Sequence, residues 1–272
     1  MRTARLAILD MYDNTPNQGM RCIKDIVDQF AKDIEWTVFD TRGKVEIPDL
    51  NHDIFICTGG PGSPMDGDGI WDARFYDWIN QVWNWNLNPE NPRKFVFFIC
   101  HSFQMACLHF KLGKISKRKS MSFGTFITHM TDAGVGEELF QGLPNPFYIA
   151  DFRNWQVLQP DEARFDQMGA NILALEKIRP HVPLERAIMA IRFSPEIFGT
   201  QFHPEADPDG MLEHFQSEER REMVLSEHGA AKYRRMIDHL SDPDKISLTH
   251  NAILPGFLNQ ALGVLKREVV LV

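Results

Sequence analysis

The chain has 272 residues, 43% of them hydrophobic, and carries 29 Lys and Arg against 37 Asp and Glu, a formal net charge of -8. That length buries a sizeable core, as one large domain or one domain with an appendage, and the acidic balance argues against a nucleic-acid backbone as partner. No apolar run spans a bilayer and no long apolar leader opens the chain, so the sequence predicts a cytoplasmic protein that is not bound to a membrane.

In chain order, "ARLAILDMY" reads as a first strand, and the stretch from about residue 19 to 32 as an amphipathic helix, with Ile23, Ile26, Val27 and Phe30 at i, i+3, i+4 and i+7. "EWTVFDT" is a second strand. "HDIFICTGGPGSP" is a third, apolar on both faces and closed by a Gly/Pro turn, as expected inside a parallel sheet. An aromatic helix, "IWDARFYDWINQVWNW", follows. The strand "KFVFFIC" then runs into a buried helix from about Gln104. The alternation predicts a doubly wound α/β layer with right-handed crossovers, whose ligands bind beyond the carboxyl ends of the strands.

From about residue 111 to 197 the pattern turns to short strands and hairpins, and the last strand, "IFGTQFHPEAD", carries His203 to its tip. The longest basic cluster, "KISKRK" (residues 114–119), lies in this region. After Asp207 the chain becomes charged and helical and ends in an apolar helix. Residues 1–207 are expected to form the main domain and 208–272 a helical extension. The apolar set Ile253, Leu254, Phe257, Leu258, Leu262, Val264 and Leu265 is too large to leave exposed, so it packs either on its own domain or on a second copy in a homodimer.

Three segments carry chemistry. Cys100 falls at a strand-to-helix turn, where an elbow projects the side chain into a crevice and the helix N-terminus favours a thiolate. "GTQFHPE" supplies His203 and, two residues on, Glu205, which in extended chain point the same way, so the carboxylate can orient the imidazole. "TGGPGSP" ends a neighbouring strand with backbone N–H groups free to hold an oxyanion. Cys22, Cys57 and Cys107 lack CxxC spacing and read as buried, reduced thiols. No histidine cluster suggests a metal, and no phosphate-loop motif is present.

These motifs, in this order over roughly residues 4 to 207, resemble the class I (triad-type) glutamine amidotransferases, most closely stand-alone proteins similar to the amidotransferase domain of GMP synthase. The resemblance implies a flavodoxin-like, mostly parallel sheet with helices on both faces, plus the C-terminal appendage. It implies no cofactor. It further implies that Cys100 attacks the side-chain amide of glutamine, that His203 moves the proton and that Glu205 orients His203. The N–H groups of Gly60 and His101 would form the oxyanion hole, and Gly59 and Gln104 would position the substrate. The elbow departs from the family's G-x-C-x-G-x-Q: this chain has "FICHSFQ", with Phe98 and Ser102 in place of the glycines. A bulky Phe98 is expected to reshape the pocket floor or shift the cysteine. Three activities stay open: a glutaminase delivering ammonia to a separate synthase, a stand-alone hydrolase of γ-glutamyl amides or peptides, and an inactive binding or regulatory module.

Overall fold

A computed structural model describes residues 3–270 except 14 and 16, with the side chains of 268–270 also outside the description. The first half builds β1 (Ala4–Asp10), α1 (Gln18–Asp28), β2 (Ile34–Asp40), β3 (Ile54–Cys57), α2 (Trp71–Leu87), β4 (Phe95–Ile99) and α3 (His101–His109). The second half contributes β5 (Lys114–Met130), α4 (Asp132–Val135), β6 (Phe147–Leu158), α5 (Glu162–Met168), β7 (Asn171–Glu176), β8 (Ile188–Ser194) and β9 (Ile197–Thr200). Four helices close the chain: α6 (Pro208–Gln216), α7 (Glu218–His228), α8 (Ala230–Leu240) and α9 (Ile246–Val270).

All nine strands join one sheet in the order β2-β1-β3-β4-β9-β8-β7-β5-β6. The pairs among β2, β1, β3, β4 and β9 are parallel, and those from β9 through β8, β7 and β5 to β6 are antiparallel. This is an α/β fold with helices on both faces. The sequence divides the sheet the same way. The four residues of β3 and five of β4 are all buried, as parallel strands covered on both sides require. The region read as short hairpins is instead dominated by two long partners, β5 and β6, paired with a register shift between Lys117 and Ser122. That irregularity hides the length of β5 from a reading by alternation.

The two faces have separate cores. On one, Ile8, Ile56, Phe95 and Phe97 meet α1 through Ile23, Ile26 and Val27, and meet α9 through Ile253, Leu254, Phe257 and Leu258. On the other, Leu9, Phe55, Val96 and Phe98 meet Phe75, Trp78 and Val82 of α2 and Phe103 of α3. The apolar set of the tail therefore packs within its own chain. A third cluster, with Met211, Phe215, Val224, Met236 and Leu240, lays α6 to α8 over β5 and β6. Among the described residues no helix is long and apolar enough to cross a membrane, and no three His, Cys, Asp or Glu side chains are grouped to hold a metal.

Candidate active site

Parallel strands deliver their carboxyl ends to one edge of the sheet, and the side chains singled out by sequence arrive there together. β4 ends in Cys100, which has φ 50° and ψ -96°. A non-glycine residue at positive φ is strained and is held only by surrounding bonds. Here the Cys100 N–H donates to the Thr200 carbonyl of β9 at 2.8 Å. Ser102, one turn on, accepts from the Ile99 N–H at 2.9 Å and donates to the Cys57 carbonyl at 2.7 Å. The serine that replaces a glycine thus staples the elbow to β3.

Phe98 corrects an expectation. Strand alternation turns it away from the pocket into the core, edge-on to Phe75 and Phe193. It lies opposite Gly199 on β9, where a Cβ would come within 3.3 Å of Phe98 Cβ and 2.8 Å of Phe103. The space that the elbow does not leave is left by the next strand. Phe98 therefore does not line the pocket floor.

His203 and Glu205 follow β9. The His203 N–H donates to the Ala150 carbonyl of β6 at 2.9 Å, which fixes the backbone, and Nδ1 lies 2.8 Å from Glu205 Oε1, which fixes the ring. That contact leaves Nε2 for the thiol. Burial pushes His203 toward its neutral form, but Glu205 and Cys100 outweigh it and hold the imidazole well above its ordinary pKa of 6.5. Cys100, His203, Glu205 and Gly60 share a cavity of about 400 Å³.

Gly59 lies beside His203 and Tyr12, where a Cβ would stand 3.0 Å from His203 Cε1 and 3.2 Å from the Tyr12 hydroxyl. A Cβ on Gly60 would stand 2.5 Å from the Met11 carbonyl, so that turn too demands glycine. His101 opens α3, which places its N–H among the amides a helix leaves unbonded. Its imidazole sits away from the cavity: burial and then Arg42 push its pKa down to about 3, and the ring lies beside Trp71. Gln104 is also set back from the cavity. Its amide donates at 3.0 Å to the Trp155 carbonyl and at 3.0 Å to Gln201 Oε1, and Gln201 Nε2 lies 3.7 Å from Cys100 Sγ. Gln104 supports the thiol from behind.

Several cavity residues escaped the sequence motifs. Tyr12 comes from the turn after β1 and Gln18 opens α1, and burial followed by the charges of Glu205 and Cys100 keeps the Tyr12 hydroxyl protonated. The other wall is Phe123, Phe152, Met211, Phe215 and Met223, with Arg220 and His214 among them. Helices α6 and α7 thus roof the site, and only their start directly after His203 signalled this. Cys22 also reaches the cavity, but burial pushes its thiol up to about 11.

Comparison with known proteins agrees with this architecture. A crystal structure of a glutamine amidotransferase from Thermotoga maritima superposes with a TM-score of 0.70 at 13% identity, covering 96% of this chain and 99% of that one. A putative GMP synthase subunit from Thermoplasma acidophilum gives 0.56 at 13% identity, over 100% and 98% of the two chains. The glutaminase domain of Trypanosoma brucei CTPS, solved with bound acivicin, gives 0.52 at 13% identity, over 75% and 86%. No curated protein matches. Residues 18–218 match the family model described as glutamine amidotransferase class-I, and the chain belongs to that family.

Proposed function

We infer that the protein hydrolyses the side-chain amide of glutamine through Cys100, His203 and Glu205. The observation that supports this most directly is the strained Cys100 elbow sharing one cavity with a His203 ring already fixed by Glu205. The thiolate of Cys100 attacks the amide carbon, and the carbonyl electrons move to an oxygen facing the N–H groups of Gly60 and His101. His203 gives its proton to the departing nitrogen, ammonia leaves, and a γ-glutamyl thioester remains. Water, deprotonated by His203, then attacks the thioester and releases glutamate and the thiolate. Glu205 holds the His203 ring in place throughout and stabilises it when it carries the proton. Gly59 and Tyr12 bound the substrate beside the thiol, and Gln104 acts through Gln201. The ammonia is proposed to serve a separate synthase, as in a neighbour described as a putative GMP synthase subunit.

The roof favours a second reading. A cavity of about 400 Å³ walled by Phe152, Phe215 and Met223 is in the range that holds larger ligands and has an apolar side that free glutamine does not need. A γ-glutamyl amide with an apolar amine would fill it. Product analysis separates the two: ammonia from glutamine at a higher kcat/KM than amine from a γ-glutamyl anilide supports the first, the reverse order supports the second, and neither product means the site is a binding module.

A further inference from the structure

Along the β5–β6 ribbon, neighbouring residues serve two different cavities. Phe123 and Phe152 line the catalytic one, whereas Ser122 and Asp151 line a separate chamber of about 160 Å³. Arg118, Lys177 and Arg179 line that chamber too. A second chamber of about 250 Å³ shares Arg118, Ser120 and Arg179 with it and adds Lys117 and Lys119. Lys117, Arg118 and Lys119 of "KISKRK" are therefore gathered at one place in a chain whose net charge is -8.

The carboxylates present are already engaged. Asp151 accepts from Ser122 at 2.6 Å and from Arg153 at 3.0 Å. Glu176 faces three guanidinium groups, of Arg118 at 3.0 Å, Arg153 at 3.5 Å and Arg179 at 2.8 Å. Glu185, on the second chamber, accepts from the Gln159 N–H. Arg153 has a side chain only 1% exposed, and among the described residues its Nη1 has no hydrogen-bond partner. Its contacts Asp151, Glu176 and Met189 all line the first chamber.

Two lysines add to the excess. Lys177 and Lys232 hold their Nζ atoms 4.6 and 4.0 Å from the Phe126 ring centroid. Gly124, at φ 111°, leaves the space: a Cβ there would meet Lys232 Cε and Nζ at 3.4 Å. Burial and neighbouring cations lower the pKa of Lys177, and they push Lys232 down to about 8. Cations crowded this way attract an anion.

We propose that the two adjoining chambers bind the phosphate groups of a small phosphorylated molecule, with Arg118 and Arg179 at the shared wall and Lys177 and Lys232 beside them. Guanidinium forks meet phosphate oxygens bidentately, and a concave chamber suits a small ligand better than an acidic protein surface.

The test is calorimetric titration of the full chain with inorganic pyrophosphate at fixed ionic strength, with citrate and a glutamate-rich peptide as comparisons. Saturable pyrophosphate binding is expected, weakened at least tenfold in the Lys177→Gln/Lys232→Gln double variant and in Arg179→Gln, and unchanged in Lys44→Gln. Near pH 8 binding should take up protons, because the anion restores the ammonium of Lys232, whose charged neighbours are Arg235, Lys177 and Asp151. Thermal unfolding of the unliganded variants checks that they are folded. Absence of saturable binding, equal affinity in both folded variants, or citrate binding as tightly would overturn the proposal. Binding of the acidic peptide without pyrophosphate would overturn it as well and assign the surface to a protein partner.

Discussion

In the proposed mechanism the proton on His203 decides what Cys100 can do. Glu205 sits 2.8 Å from Nδ1 and is 1% exposed, so its charge reaches the ring with little screening from water. His203→Asn removes the proton carrier and should lower turnover by about 10²–10⁴-fold, the usual contribution of a general acid–base. Glu205→Gln keeps the carrier but loses its orienting charge, so it should cost less. It should also draw the alkaline limb of the kcat/KM profile to lower pH, because the pKa of His203 falls; a limb that stays in place would remove Glu205 from the role assigned to it. The same raised pKa has a stability consequence. The folded value lies above the unfolded one, so the contribution is full below about pH 6.5 and is lost as pH rises through the folded pKa. Wild type should lose more stability over that upper window than Glu205→Gln, as followed by denaturant unfolding at a series of pH values.

Among the elements, the β4–α3 elbow and its neighbour β9 depend on each other. Phe98 fills the space that Gly199 leaves, so restoring the family's glycine by Phe98→Gly should leave a void and destabilise the fold by about 3–5 kcal/mol, with no gain in activity. Gly199→Ala should cost about 1–3 kcal/mol by crowding Phe103 and Phe193. Thermal unfolding checks both, and an unchanged Tm in either would refute this account of the elbow. This compensation explains where sequence reading stopped. The apolar run of β4, the amphipathic face of α1 and the i, i+2 placement of His203 and Glu205 depend on local periodicity and were legible. The direction of Phe98, the second-rank place of Gln104 and the role of Gln201 depend on strands nearly a hundred residues apart in sequence. Tyr12 was within reach only as part of a turn after a parallel strand, without a motif to mark it.

At the scale of the whole molecule, the helices after Asp207 divide their duties. α6 and α7 roof the cavity of Cys100 and His203, while α9 completes the core beneath β4. Phe257 packs edge-on to Phe97 and Phe95, and burying its neighbours Ile253, Leu254 and Leu258 contributes about 1.5–3 kcal/mol each. Truncation after Lys245 should therefore abolish cooperative unfolding, whereas Met223→Ala in the roof should leave Tm within a few degrees and alter the preference between glutamine and a γ-glutamyl anilide. A truncated chain that unfolds as sharply as the intact one would show that α9 is dispensable. Of the four free thiols, one sulfur atom is proposed to carry the chemistry. Burial raises the pKa of the other three, Cys22 to about 11 and Cys57 and Cys107 well above the ordinary thiol value, and so keeps them protonated. Mass spectrometry of the intact protein after treatment with a diazo-ketone analogue of glutamine tests this directly. A single adduct mapped to Cys100, suppressed by excess glutamine and lost in a folded Cys100→Ala variant that also releases no ammonia, is the predicted result; an adduct on another cysteine, or ammonia release that survives the substitution, would contradict it.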